Sequence, residues 1–289
     1  MIASSYSNGM GNLDRVESRL AAALKDILAR PGTLVRAIAA YFVGIKMGVA
    51  EEAARAVSCG IEYLHTASLI FDDFPAMDDA QTRRGVACIH VVYGESIATL
   101  AALALINRGY AMLWRGISHA SFERRIMAND FLDERLGVHG LIGGQAHDLR
   151  GWRSGQTAAE VSGIAAKKTG DLLRLTLVLP AIIGRGTSRE IHLLDRLALL
   201  RGLSYQAADD FKDIISTNEN FGKTSGRDEE MGRPNLVAAE GIVATLRRFQ
   251  RLNDLGDKLQ ACLPGPSERW LMSNLLKVSP PDFQNYWAK

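Results

Sequence analysis

The sequence predicts an all-α chain, and three observations predict it. Apolar residues recur at intervals of three and four, as in Leu20, Leu24, Ile27 and Leu28, or Val57, Ile61, Leu64, Ser68 and Leu69. Alanine and leucine, both strong helix formers, dominate those stretches. Two-residue alternation rich in Val, Ile and Thr is hardly present, so a sheet would have little to be made from.

Taken in order, Met1 to Arg15 is polar and rich in Ser, Gly and Asn, and residues 1–13 read as a flexible N-terminus. The first helix ends at the breaker Arg30-Pro31-Gly32. A second long helix begins at about Glu52 and should stop near Phe74, because Pro75 disfavours helical geometry at the residue before it. Further breaks fall at Gly143-Gly144, Gly184 to Thr187, Phe221 to Pro234 and Pro264 to Pro266. They leave helices of roughly 15 to 25 residues, with one more after Pro264. No Ser- or Pro-rich linker interrupts the middle, so residues 1–289 read as a single domain.

Composition narrows the function classes. The chain is 47% apolar and 23% charged, with 34 basic against 32 acidic side chains and a net charge of +2. It therefore has none of the basic excess with which nucleic-acid readers neutralise phosphates. Cys59, Cys88 and Cys262 are too few and too widely spaced for a disulfide scaffold or structural zinc. The N-terminus lacks the basic start and apolar core of a signal peptide. The apolar run from Ile97 to Ile106 is about half of the roughly 20 residues a bilayer span needs, so no membrane span and a cytoplasmic location are expected. His90, His119, His139, His147 and His192 lack common metal spacing.

Two acidic clusters stand out. The first is Phe71-Asp72-Asp73-Phe74-Pro75-Ala76-Met77-Asp78-Asp79, followed by Arg83-Arg84. Asp72 and Asp73 fall at a helix C-terminus, where the helix dipole opposes a carboxylate and a cation would offset the cost. Oxygen-only donors suit magnesium, which takes one or two carboxylates and completes its shell with water and substrate phosphates. Alone, an Asp-Asp pair is more often a solvated acidic loop. The second cluster, Tyr205-Gln206-Ala207-Ala208-Asp209-Asp210-Phe211-Lys212-Asp213, also follows an apolar helical stretch, with Asp209 and Asp213 four apart on one face.

Basic residues accompany both clusters: Arg83 and Arg84, then Lys168, then Lys223, Arg227 and Arg233. Acids for metal beside bases for oxyanions point to a diphosphate ligand. Asn220 to Thr224 is not a nucleotide P-loop, since Thr217 stands where that motif requires glycine and no strand precedes it.

This constellation resembles the trans-type polyprenyl diphosphate synthases, most closely the bacterial geranylgeranyl diphosphate synthases. The likeness runs from about Arg36 to Pro234. It rests on His65 through Asp79 with Arg83-Arg84-Gly85, then Gly144-Gln145-Ala146-His147-Asp148, Lys168-Thr169-Gly170, Gln206 through Asp213, and Gly222-Lys223 through Asp228, in the family's order. The resemblance implies a bundle of long helices around a deep cavity, a homodimer, and magnesium ions, three in this family, bound with the allylic diphosphate. Asp72, Asp78 and Asp209 would be metal ligands, supported by Asp73, Asp210 and Asp213. Arg83, Lys168, Gln206, Lys223 and Arg233 would hold the allylic diphosphate, and Thr169 and Arg227 would also bind substrate. Arg36, His65 and Arg84 would hold isopentenyl diphosphate. Loss of diphosphate from the allylic carbon would leave a cation that the isopentenyl double bond attacks.

Residues about one turn before Asp72 would line the channel for the growing chain. Ala67 and Ser68 are small, which favours a C20 over a C15 product, unless they merely ease helix packing. One position departs from the family pattern Gly-Gly-Lys-x-x-Arg-Pro: Arg36 matches, but Thr33 replaces the lysine. A lost charge-assisted hydrogen bond worth roughly 1.5 to 3 kcal/mol would weaken isopentenyl diphosphate binding about ten- to a hundredfold. Thr33→Lys is then expected to lower its Michaelis constant unless another cation fills the place. Two rivals to an elongating enzyme are a relative that ionises the allylic diphosphate without coupling it, and a non-catalytic subunit of a heteromeric synthase.

Overall fold

The computed structural model describes residues 1–153, 155–217 and 232–279, with the side chains of 212–217 outside that set. The chain forms two compact units. Among the described residues the strands are confined to two-residue β1 (Thr82–Arg83) and β2 (Val86–Ala87), which pair antiparallel, and nearly everything else is helical. The all-α expectation holds.

One unit comprises residues 1–128 and 180–185. Its helices are α1 (Ile2–Asn8), α2 (Ser18–Ala29), α3 (Val35–Lys46), α4 (Glu51–Asp72), α5 (Ile89–Tyr93) and α6 (Glu95–Ile117). α4 packs most extensively on α6, because the residues between them are small. A Cβ on Gly60 would come within 2.8 Å of the Gly109 carbonyl oxygen, and one on Gly116 would meet Val57. Ala67, Ala98, Ala101, Ala102 and Leu105 are fully buried in the same core. By length and composition α6 could cross a membrane. Ala98, Ala101, Ala102 and Leu105 of this helix are buried in the core, while Leu100, Leu103, Tyr110 and Trp114 are exposed.

The N-terminus corrects the expectation of flexibility at residues 1–13. Ile2 and Tyr6, four apart, give α1 one apolar edge, and Tyr6 is fully buried. The Tyr63 hydroxyl donates to the Tyr6 carbonyl at 2.6 Å, while the Tyr6 hydroxyl pairs with Thr66 Oγ1 at 3.0 Å. Two apolar residues among serines and asparagines are too weak a local signal to announce a helix. Packing against Tyr63 decides it.

The other unit comprises residues 129–179 and 186–289. It holds α8 (Leu141–Leu149), α9 (Ala158–Ala165), a π-helical turn at Ala166–Gly170, α11 (Ser188–Thr217), α12 (Leu236–Glu240) and α13 (Ile242–Ala261). Two helices, α7 (Phe122–Leu136) and α10 (Asp171–Ile183), are divided between the units. Thr157 and Glu160 form a capping box that starts α9. Arg201 of α11 is fully buried, ion-paired with Asp257 at 2.7 Å and bonded to Asn253 at 3.3 Å on α13. Gly256 leaves room for that guanidinium, since a Cβ there would lie 2.9 Å from Nη1.

Several boundaries differ from expectation. Gly143-Gly144 does not break a helix, because α8 runs through both. The bare Cα of Gly144 admits the π-turn backbone, where a Cβ would sit 2.5 Å from the Lys168 nitrogen. The helix after Pro264 is a 3-10 helix, Ser267–Leu276. Helix lengths run from 5 residues in α5 to 30 in α11, wider than the expected span.

Candidate active site

α4 ends where the proline requires: Asp72 is its last residue and Asp73 its C-cap. The chain then folds back over that end. The Asp78 amide donates to the Asp72 carbonyl at 2.9 Å and the Ala80 amide to the Asp73 carbonyl at 3.0 Å, capping helix carbonyls that would otherwise lack partners. This return brings the backbones of Asp72 and Asp78 together across the intervening Asp73 to Met77. Asp79 takes up a left-handed backbone, φ 46°, to complete the turn.

Asp73 and Arg83 form one unit. The Asp73 carboxylate is 5% exposed and accepts from Arg83 Nε at 2.7 Å and Nη2 at 2.6 Å. Arg83 is thus the cation that offsets a carboxylate at a helix C-terminus. Asp72 and Asp78 are half-buried.

A second group lies two turns earlier on α4. Arg36 Nη1 is 3.1 Å from His65 Nε2. A guanidinium can only donate, so Nε2 accepts and the proton of the neutral ring is on Nδ1, a buried atom with no hydrogen-bond partner among the described residues. Burial, and then the charges of Arg36, Arg84 and Arg83, hold the imidazole neutral well below its ordinary titration range. Glu62, one turn before His65, is 5% exposed and accepts the Ala37 amide at 3.2 Å, tying α4 to the first turn of α3. Burial raises its carboxyl, opposed chiefly by Arg36. Sequence reading missed Glu62. The signal was there in a lone carboxylate on an otherwise apolar helix face, three residues from His65.

The other unit assembles its own set. Lys168, on the π turn, pairs with Asp148 of α8 at 2.5 Å, and Arg233 reaches the Asp148 carbonyl at 3.5 Å. Arg233 is buried at 8% exposure. Thr169 Oγ1 donates to Gln206 at 3.0 Å, Gln206 donates to Asp210 at 2.9 Å, and Asp210 accepts the Leu236 amide at 2.8 Å at the start of α12. Asp210 is fully buried in this relay, while Asp209 beside it is half-buried. Asp148 closes the motif Gly144 to Asp148, and only its pairing with Lys168 marks it as a site residue. The Asp213 side chain, Lys223 and Arg227 lie outside the described residues.

The carboxylate-only donors fit magnesium. Among the described residues no three His, Cys, Asp or Glu side chains converge as a metal cage. Ala67 is fully buried in the core that also holds Ala98 and Ala101, and the Ser68 hydroxyl donates to the His65 carbonyl at 2.9 Å. Thr33 is exposed in the loop before α3.

Helices carrying two Asp-rich segments, each beside a cation paired with a carboxylate, define a class. The model of the polyprenyl synthetase family matches residues 17–261, and the chain belongs to that family. Among similar proteins, geranylgeranyl pyrophosphate synthase 4 of Arabidopsis thaliana is 34% identical over 235 residues, 79% of this chain and 63% of that one. The chloroplastic geranylgeranyl pyrophosphate synthase of Capsicum annuum is 34% identical over 198 residues, 67% of this chain and 54% of its own. The chain thus spans less than two thirds of the length of these relatives. An FPP/GFPP synthase from Zymomonas mobilis superposes with a TM-score of 0.80 at 24% identity, covering 95% of this chain and 93% of that one. A geranyltransferase from Helicobacter pylori, solved with magnesium and isoprenyl diphosphate, gives 0.79 at 22%, covering 100% and 94%. The fold is the all-α isoprenoid synthase fold.

Proposed function

We propose that this chain is a magnesium-dependent prenyltransferase, a single catalytic domain acting as a homodimer, that condenses isopentenyl diphosphate with an allylic diphosphate. The product we assign is geranylgeranyl diphosphate (C20). One observation carries the reading: α4 bears both kinds of site. Asp72 with its returning loop offers oxygen donors, and His65 with Arg36 and Arg84 offers cations. The seven-residue step from His65 to Asp72 spans ~10 Å of helix, room for two diphosphate headgroups side by side.

Bound magnesium would neutralise charge on the departing diphosphate. The ligands we assign are Asp72 and Asp78 at the first acidic cluster and Asp209 at the second. Arg83 is oriented by Asp73, and Lys168 by Asp148, so both cations are fixed before substrate arrives and need no reorganisation as charge develops. Thr169 and Gln206, linked to buried Asp210, fix the polar wall beside Asp209. Arg36 and the Nδ1–H of His65 hold the isopentenyl diphosphate by charge and hydrogen bond, setting its double bond against the allylic carbon. Asp213, Lys223, Arg227 and Arg233 belong to the allylic diphosphate side in this reading.

Exposed Thr33, where the family carries lysine, favours a second reading in which the allylic diphosphate is ionised without coupling. Purified protein with magnesium and farnesyl diphosphate, with and without isopentenyl diphosphate, separates the cases by product size. Consumption only with both substrates is expected. Consumption of farnesyl diphosphate alone would support the uncoupled reading, and inertness a non-catalytic subunit. Asp72→Ala and Asp209→Ala should each abolish turnover, and near-normal rates in either would refute the ligand assignment.

A further inference from the structure

The π turn at Ala166–Gly170 carries Lys168 and Thr169, and its backbone is held from three directions. Gly144 of α8 admits it on one side, and on another Gly202 of α11 approaches so closely that a Cβ there would lie 2.8 Å from the Gly170 Cα. The third hold is ionic. Asp171, which directly follows the turn and begins α10, is 1% exposed. Its Oδ1 accepts from Arg174 Nη1 at 3.1 Å and from Arg135 Nη1 of α7 at 3.4 Å. Arg174 also pairs with Asp195 of α11, Nε to Oδ1 at 3.0 Å, and the Arg135 guanidinium lies over the Phe131 ring at 5.6 Å. All of these residues belong to one compact unit.

A carboxylate at the start of a helix already gains from the helix dipole while standing in water, so nothing local requires its burial. Here burial pushes the Asp171 carboxyl above its usual range, against the pull of two guanidiniums. A buried ionic cluster costs desolvation, and what it secures is geometry. In this case the geometry is the end of a turn type that is rare in helices and concentrates at functional sites.

We propose that Asp171 is a positioning residue: clamped by Arg135 and Arg174, it fixes the π turn so that Lys168 and Thr169 meet the diphosphate of the allylic substrate in one set arrangement. The proposal rests on the prenyltransferase reading and deepens it. Neutralising Asp171 frees the end of the turn and slackens the grip on the allylic diphosphate. Isopentenyl diphosphate, held by Arg36, His65 and Arg84 on other elements, is unaffected.

Calorimetry of farnesyl diphosphate binding with magnesium tests it, with both Michaelis constants followed in turnover. Asp171→Asn keeps the shape and removes the charge. It should weaken farnesyl diphosphate binding about tenfold and raise that substrate's Michaelis constant to match, while the constant for isopentenyl diphosphate stays put. Asp195→Asn takes a carboxylate from the same cluster without touching the turn, so it should lower the melting temperature and leave the affinity within about twofold. In a Lys168→Ala background Asp171→Asn should cost less than about twofold, because its effect passes through the turn. Equal weakening by Asp171→Asn and Asp195→Asn would reveal a general loss of packing and overturn the proposal, as would independent, multiplicative losses in the Lys168→Ala background. Should Asp171→Asn not fold, Arg135→Gln removes one donor from a half-buried side chain: weaker farnesyl diphosphate binding is expected, and wild-type affinity would overturn the proposal. Asp171→Asn that binds farnesyl diphosphate as well as the wild type does would defeat this inference alone. Wild-type protein that does not bind it would defeat the proposed function as well.

Discussion

His65 illustrates how one side chain acquires its behaviour from neighbours on other elements. Arg36 comes from α3, Arg83 and Arg84 from the loop after α4, and Glu62 from the preceding turn of α4 itself. Burial and those cations keep the ring neutral, its pKa well below the ordinary 6.5. In the unfolded chain it takes up a proton near pH 6.5, at about its unperturbed value. Between the two values the unfolded state binds more protons, so stability rises with pH; the contribution is complete above about pH 6.5 and is lost as pH falls below it. His65→Gln should therefore flatten the fall in melting temperature between about pH 7 and 5, and parallel profiles for the two proteins would contradict the assignment. The acids and bases themselves were legible as residue types at motif spacing. Their division of labour was not, because Asp73 meets Arg83, and Lys168 meets Asp148, only after the chain has turned back on itself.

Among elements, the α4–α6 pair shows glycine used for approach rather than for turning. Gly60 and Gly109 face one another, and a Cβ on Gly109 would lie 3.1 Å from Leu64 Cγ and 3.2 Å from the Gly60 carbonyl. Gly109→Val should force the helices apart and cost about 1–3 kcal/mol, read as a lower melting temperature; an unchanged value would mean the pair adjusts freely. Gly144 works in the same way between α8 and the π turn that carries Lys168. Sequence reading took Gly143-Gly144 for a break, since a glycine that turns and a glycine that admits a neighbour look alike until the neighbour is known. The same limit hid α1, whose two apolar residues gain meaning only against Tyr63. The breaks at Pro31 and Pro75 were legible because proline acts on its own backbone.

At the scale of the whole molecule, product length tests the proposed function through residues that the fold has buried. Ala67 sits five residues before Asp72, fully buried in a core of alanines. If its small size leaves depth for the growing chain, Ala67→Tyr should shorten the product. Chromatographic sizing of the extracted prenyl chains checks this, with melting temperature as a control for overpacking, and an unchanged product would place the limit elsewhere. By itself the sequence determined the helical class, the family likeness, and the order of acidic and basic segments, because helix period, proline geometry and side-chain charge are local properties. Only the tertiary structure decided which acid steadies which base, and that cations from α3 and from the loop after α4 gather at His65, a short rise along α4 from Asp72. Those are meetings of residues distant along the chain, and no local spacing encodes where a folded chain will return.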